Sequence, residues 1–212
     1  MFLDRVEAGR QLADVLSDLR DQPDPLVVLA IPRGGVIVAR EVARALHAPI
    51  DICLTHKIGA PGNPELAIGA IADDGTTVLD QMLIHALQVP HQYLEAEAQY
   101  WKIELARRAE AYRGGRARVQ VKDCVALVID DGVATGSTLI AALRSTRAAG
   151  AKILIAAVPV GPRDTIEHVL SQEADRVECL LAPDDFYAVG THYRHFAQVS
   201  DEQVIEAMTN DQ

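Results

Sequence analysis

Four short apolar runs constrain this chain more than anything else in it: LVVLAI at 26–31, CVALVID at 124–130, KILIAAVPV at 152–160 and RVECLLA at 176–182. Each is rich in strand-forming residues, and none alternates with polar ones as a half-wet strand would, so each reads as a strand covered on both faces. Helical spacing separates them, at 35–46, 137–149 and 163–171. A further strand, IDICLT at 50–55, follows the first of these helices. A strand, a helix and a strand in that order form a right-handed crossover with parallel strands. The expected fold is α/β, an open and mainly parallel sheet with helices on both faces.

The remaining segments arrange themselves around that sheet. Asp4 is placed to cap a first helix over 4–20, with Glu7 three positions on. Gly59, Pro61, Gly62 and Pro64 load residues 57–66 with chain breakers, and a mobile loop is expected there. ELAIGAIADDGTTVLD reads as two short strands around an Asp74-Gly75 turn. Leu94, Ala98, Trp101, Leu105, Ala109 and Tyr112 step along one face of a long helix over 91–113, ended by Gly114 and Gly115. Trp101 belongs to the packing seam of that helix before it is a stacking platform. A last helix over 200–210 begins at Ser200 or Asp201. With no repeat or linker in 212 residues, a single domain over 1–212 is expected.

Composition narrows the partners. A net charge of -10 leaves no broad basic face for phosphodiester backbones, so no nucleic acid is expected. No apolar run approaches the roughly 20 residues that span a bilayer, so no membrane is expected either. Charges within the first five residues argue against a secretory leader, and a cytoplasmic protein is the reading. Cys53, Cys124 and Cys179 have no metal-binding spacing and read as small buried hydrophobes. His192 and His195 stand three apart with no third ligand nearby, while His47, His85, His91 and His168 look like surface positions.

In open parallel sheets, ligands bind beyond the carboxyl ends of the strands. The loops expected there are PRGG, HKIGAPGNPE and DDGVATGST. In the third, Gly132 and Gly136 free the backbone, Thr135, Ser137 and Thr138 supply hydroxyls, and a helix N-terminus follows. Such a turn suits a phosphate. The chain has neither a Walker lysine after Gly136 nor a dinucleotide fingerprint. The preceding pair, Asp130 and Asp131, accepts hydrogen bonds only, and the vicinal diol of a sugar is a natural neutral donor beside a sugar phosphate. Repulsion between acids and phosphate is then offset by distance and by a bound cation.

LVIDDGVATGSTL, residues 127–139, resembles the phosphoribosyl-pyrophosphate motif of type I phosphoribosyltransferases. With PRGG near the start and DFYAVGTHYRHFAQVSDEQV near the end, the chain is similar to a bacterial group of that family over roughly residues 2–207. The resemblance implies transfer of a phosphoribosyl group from phosphoribosyl pyrophosphate to a nitrogen of a nucleobase-like acceptor, with release of pyrophosphate. It implies that Asp130 and Asp131 hold the ribose hydroxyls and act in catalysis. Gly132, Ala134, Thr135, Gly136, Ser137 and Thr138 would wrap the 5-phosphate. Arg33, Gly34 and Gly35 match the pyrophosphate loop, where a non-proline cis peptide is common, and Lys57 stands where relatives carry a pyrophosphate-binding cation, with His56 beside it. The 57–66 segment would be a flexible loop, with Glu65 as a candidate acid or base.

Mg²⁺ would be bound mainly through the sugar pyrophosphate, with Asp130 and Asp131 as additional ligands. A helical insertion over about 82–115 and a hood over about 183–199 complete the implied domain. In the hood Asp184, Asp185, Phe186, Val189, Gly190 and Tyr193 are the acceptor-binding candidates. Enzymes acting on 6-oxopurines carry an acid where this chain has Ala134, which disfavours hypoxanthine and guanine. The resemblance also implies a homodimer. Its alternative is a non-catalytic regulatory protein that binds the same sugar pyrophosphate.

Overall fold

The computed structural model describes residues 1–209, the side chain of Glu65 excepted. Its centre is a five-stranded parallel sheet built from β1 (Leu26–Ala30), β2 (Ile50–Ile52), β6 (Val125–Ile129), β7 (Ile153–Val160) and β8 (Arg176–Leu181), in the order β2-β1-β6-β7-β8. Val28 pairs with Leu127, and Leu127 with Ile155, so one register runs through the three central strands. Successive side chains of a strand point to opposite faces. Val28, Leu127, Ile129 and Ile155 accordingly join one buried cluster, and Val27, Ala126, Val128 and Leu154 join another.

The first cluster is closed by α1 (Arg5–Val15), α2 (Gly34–Leu46), α4 (His91–Arg113) and α6 (Asp201–Thr209), and the second by α5 (Ser137–Ala148). Covering both faces explains why β1, β6 and β7 carry so few polar residues, whereas β8, expected to be covered on both faces, is an edge strand half-buried along its length. Caps fix the helix starts: Asp4 accepts from the Glu7 N–H at 2.9 Å, and Ser200 and Gln203 form a reciprocal pair at the start of α6. Gly114, with φ 58°, ends α4. A short α3 (Gln81–Ala86), capped by Asp80, precedes α4 and has no strong apolar signature in the sequence.

Four expectations are corrected. The segment 57–66 is not irregular: β3 (Thr55–Ala60) and β4 (Asn63–Ala72) form an antiparallel hairpin, extended through the Asp74-Gly75 turn to β5 (Thr77–Leu79). Its breakers sit where a hairpin tolerates them. Pro61 and Gly62 make the turn, Gly62 taking φ 76°, and the register shifts around Gly59 absorb the irregularity next to Pro64. The strand expected over 50–55 stops at Ile52, and after Cys53 and Leu54 the chain crosses into this second sheet. The helix expected over 163–171 is a π turn (Thr165–Val169) followed by a 3-10 turn (Leu170–Gln172). There Thr165 donates its hydroxyl to the Ala134 carbonyl at 2.9 Å, which ties the wide turn to the loop after β6. The first helix is also shorter than expected, ending at Val15 before a 3-10 turn, and residue 210 lies outside the described residues.

Candidate functional site

The strand order places β1 and β6 side by side, with the chain running outward to β2 on one side and to β7 on the other. That reversal opens a crevice beyond their carboxyl ends. The loops that leave these two strands are PRGG and DDGVATGST, and they pack against each other through missing side chains. A Cβ on Gly34 would fall 1.8 Å from Asp131 Oδ2, and one on Gly35 would fall 2.8 Å from Asp130 Cα. The Pro32–Arg33 peptide is cis. Only glycine lets the two loops approach this closely.

Asp130 and Asp131 both lie in this crevice. Asp130 Oδ1 accepts the Asp131 N–H at 2.8 Å, and Asp131 Oδ2 accepts Arg5 Nε at 2.6 Å. Burial, reinforced by the neighbouring Asp131 charge, pushes the Asp130 carboxyl above the usual carboxylate range. Immediately beyond, Asp130, Gly132, Val133, Ala134, Thr135, Gly136, Ser137, Thr138 and Leu139 line a cavity of about 270 Å³, with Val189 of the hood as its far wall. Thr135 and Ser137 present their hydroxyls 3.1 Å apart, and α5 aims its first N–H groups at the same space. The turn is open and has room for an anion.

Lys57 reaches this neighbourhood from β3. It lines a second cavity of about 210 Å³ together with Ser137, Asp80 and Arg144. His56 does not face an anion: its ring stacks on Trp101 at 3.3 Å, and burial there lowers its pKa. Arg33 turns away from the acid pair toward α4 and α6, standing 3.7 Å from Asp201 in a cavity shared with Arg107, Arg108 and Tyr112. Glu65 belongs to β4 by its backbone, but its side chain lies outside the described residues.

In the hood, Val189 packs on Gly132 and Phe186 stacks on His192 at 5.4 Å. Asp184 pairs with Arg163 at 2.8 Å, while Asp185 is exposed. Tyr193 corrects its expected role. It is 5% exposed, sits against Phe2 and Phe196, and donates its hydroxyl to the Asp131 carbonyl at 2.6 Å, so it braces the loop from beneath instead of facing an acceptor. His195 is exposed, and among the described residues no three His, Cys, Asp or Glu side chains form a metal-binding group.

Two features had no sequence signal. Arg5 pairs with a residue 126 positions away, and Tyr187, beside Phe186, is 89% exposed. A run of charges or a periodicity reveals neither.

A sequence model of the phosphoribosyl transferase domain matches residues 3–194. Two curated Mycobacterium tuberculosis proteins with provisional phosphoribosyl transferase names, from strains CDC 1551 and H37Rv, are each 44% identical over 205 residues, covering 97% of this chain. The chain spans about half the length of these curated relatives, 46%. A solved crystal structure, TT1426 from Thermus thermophilus, is similar over 98% of this chain and 97% of that one, with a TM-score of 0.86 at 43% identity.

Proposed function

Since this chain belongs to the phosphoribosyl transferase family, we propose that it transfers the phosphoribosyl group of phosphoribosyl pyrophosphate to a nitrogen of a nucleobase-like acceptor, releasing pyrophosphate. The observation that carries this reading is the junction of the acid pair with an open phosphate-sized turn at the point where the strand order reverses. The 5-phosphate takes the cavity of Ala134, Thr135, Gly136, Ser137 and Thr138, held by hydroxyls and by the N–H groups opening α5. Asp130 and Asp131 then lie where a ribose diol attached to that phosphate can donate to them. Lys57 supplies positive charge from the hairpin side of the same loop.

The acceptor nitrogen forms its bond to C1 as the bond from C1 to the pyrophosphate oxygen breaks, and the electron pair leaves with pyrophosphate. Positive charge grows on the ribose ring, and carboxylates fixed beneath the ring stabilise it without reorganising. Mg²⁺ would be held mainly by the substrate's pyrophosphate, with Asp130 and Asp131 as additional ligands, and would supply positive charge beside the leaving group. The acid pair fits such a cation, because Asp130 is desolvated beside a like charge and gains from a positive neighbour. The hairpin β3–β4, with Glu65 on it, is the segment positioned to close over the sugar and exclude water. Asp185, Phe186 and Val189 are the acceptor-facing candidates, and Ala134 disfavours 6-oxopurines.

A homodimer belongs to this reading; Tyr100 and Ile103, exposed on α4, support that helix as a contact between copies. No helix among the described residues is long and apolar enough to cross a membrane. The deciding experiment mixes the protein with phosphoribosyl pyrophosphate, Mg²⁺ and a panel of nucleobases and follows pyrophosphate. Release that depends on one base supports the transferase and identifies its acceptor. Binding of the sugar pyrophosphate with no release against any base favours the regulatory alternative.

A further inference from the structure

Arg5 is the first residue of α1, and its place is fixed from several sides. Asp4 caps the helix, and α1 lies tightly on α2, where a Cβ on Gly9 would fall 2.7 Å from the Val38 carbonyl oxygen. The other end of α2 is Gly34, the residue against which Asp131 rests. From this base Arg5 reaches three partners. Nε donates to Asp131 Oδ2 at 2.6 Å, Nη1 donates to the Ala197 carbonyl at 2.9 Å, and the guanidinium carbon sits 3.9 Å from the centroid of the Phe196 ring. The ion pair is shielded, with side-chain exposures of 11% and 15%, so salt screens it little. A lysine cannot make this set of contacts, since it lacks the planar fork and the stacking face.

We propose that Arg5 is a positioning residue for the sugar: it grips Asp131 at Oδ2, holds that carboxylate in place to receive a ribose hydroxyl, and couples that grip to the hood through Phe196 and Ala197. The inference rests on the phosphoribosyl reading and deepens it. It also answers why two acids tolerate one turn beside a phosphate. Asp131 has a resident counter-charge in Arg5, so the resting crevice is less negative than two free carboxylates. The groups that meet there are Asp130, Asp131 and Arg5, with the Tyr193 hydroxyl beneath on the Asp131 carbonyl. The hood and the sugar site are thereby one mechanical unit: displacing Phe196 loosens the guanidinium, and the guanidinium sets the carboxylate.

The test compares wild type, Arg5→Met, Arg5→Lys and Phe196→Leu. Binding of ribose 5-phosphate and of inorganic phosphate is measured by calorimetry for each. Arg5→Met is expected to weaken binding about ten- to hundredfold, the loss of one charge-assisted hydrogen bond. Its affinity for inorganic phosphate stays near the wild-type value, because the turn from Ala134 to Thr138 lines the phosphate cavity without Arg5. Arg5→Lys still loses about tenfold in ribose 5-phosphate affinity, since charge returns without the fork. Phe196→Leu weakens binding in the same direction with both charges intact. Equal ribose 5-phosphate affinity in wild type and Arg5→Met, or an equal loss of inorganic phosphate affinity in that variant, overturns the inference while leaving the transferase reading in place. Wild type that binds no sugar phosphate overturns both. Should Arg5→Met fail to melt cooperatively, the Arg5→Lys and Phe196→Leu affinities decide, and wild-type values in both overturn the proposal.

Discussion

At the scale of single residues, the acid pair sets two measurable consequences. Burial and then the Asp131 charge raise the Asp130 pKa, so the folded chain favours its protonated form. The stability held by that form is complete at pH below the unfolded carboxylate value and is lost as pH rises through the folded one. Asp130→Asn is therefore expected to melt higher than wild type near neutral pH, with the gap closing toward pH values below the usual carboxylate range. Calorimetry over that interval checks the sign, and a constant gap contradicts it. Asp131→Asn is expected to cost about 2 to 4 kcal/mol in transition-state stabilisation, read from kcat/KM. Unchanged turnover would remove Asp131 from the chemistry. Gly34→Ala puts a methyl group where Asp131 Oδ2 lies, so the carboxylate is displaced and sugar binding falls, with a folding cost of about 1–3 kcal/mol. Much of this was legible before any coordinates, because Asp130 through Thr138 are contiguous and their chemistry is local. Arg5 was not legible, since nothing near position 5 points to position 131.

At the scale of elements, what could be read depended on whether a segment's periodicity competed with its breakers. Three of the four apolar runs became strands buried on both faces, where no other low-cost place exists for them, while the run at 176–182 became a half-buried edge strand. The segment 57–66 misled because proline and glycine mark a tight hairpin turn as readily as an irregular loop, and only the partner strand distinguishes the two. Gly62 is a clean probe of that hairpin. It has φ 76° and no neighbour within 4 Å of an added Cβ, so Gly62→Ala carries the backbone penalty alone, about 1–2 kcal/mol. Amide exchange should show that cost in β3 and β4 while β6 and β7 keep their protection; a uniform effect would mean that the hairpin does not open separately. In the central sheet, Leu127 is fully buried, and Leu127→Ala is expected to destabilise the whole chain by about 2–5 kcal/mol in denaturant titration.

For the whole molecule, the parallel sheet and its helices followed from the sequence pattern, whereas the position of the hood did not. Residues 183–199 have no strong periodicity, and their path is set by contacts with the opposite end of the chain. Phe2 donates its N–H to the His192 carbonyl and accepts from the Arg194 N–H, both at 2.8 Å, and Leu3 accepts from the His195 N–H at 2.9 Å. The residues of the phosphate turn, by contrast, are contiguous between β6 and the start of α5. This division orders events during synthesis. A ribosome-bound chain has its glycine turn ready once α5 has emerged, yet the arginine at position 5 has no aromatic to lie on until residue 196 clears the exit tunnel. Nascent chains halted just short of that point should retain an anion dock and lack a competent sugar cradle, so the grip on the sugar matures after the grip on its phosphate.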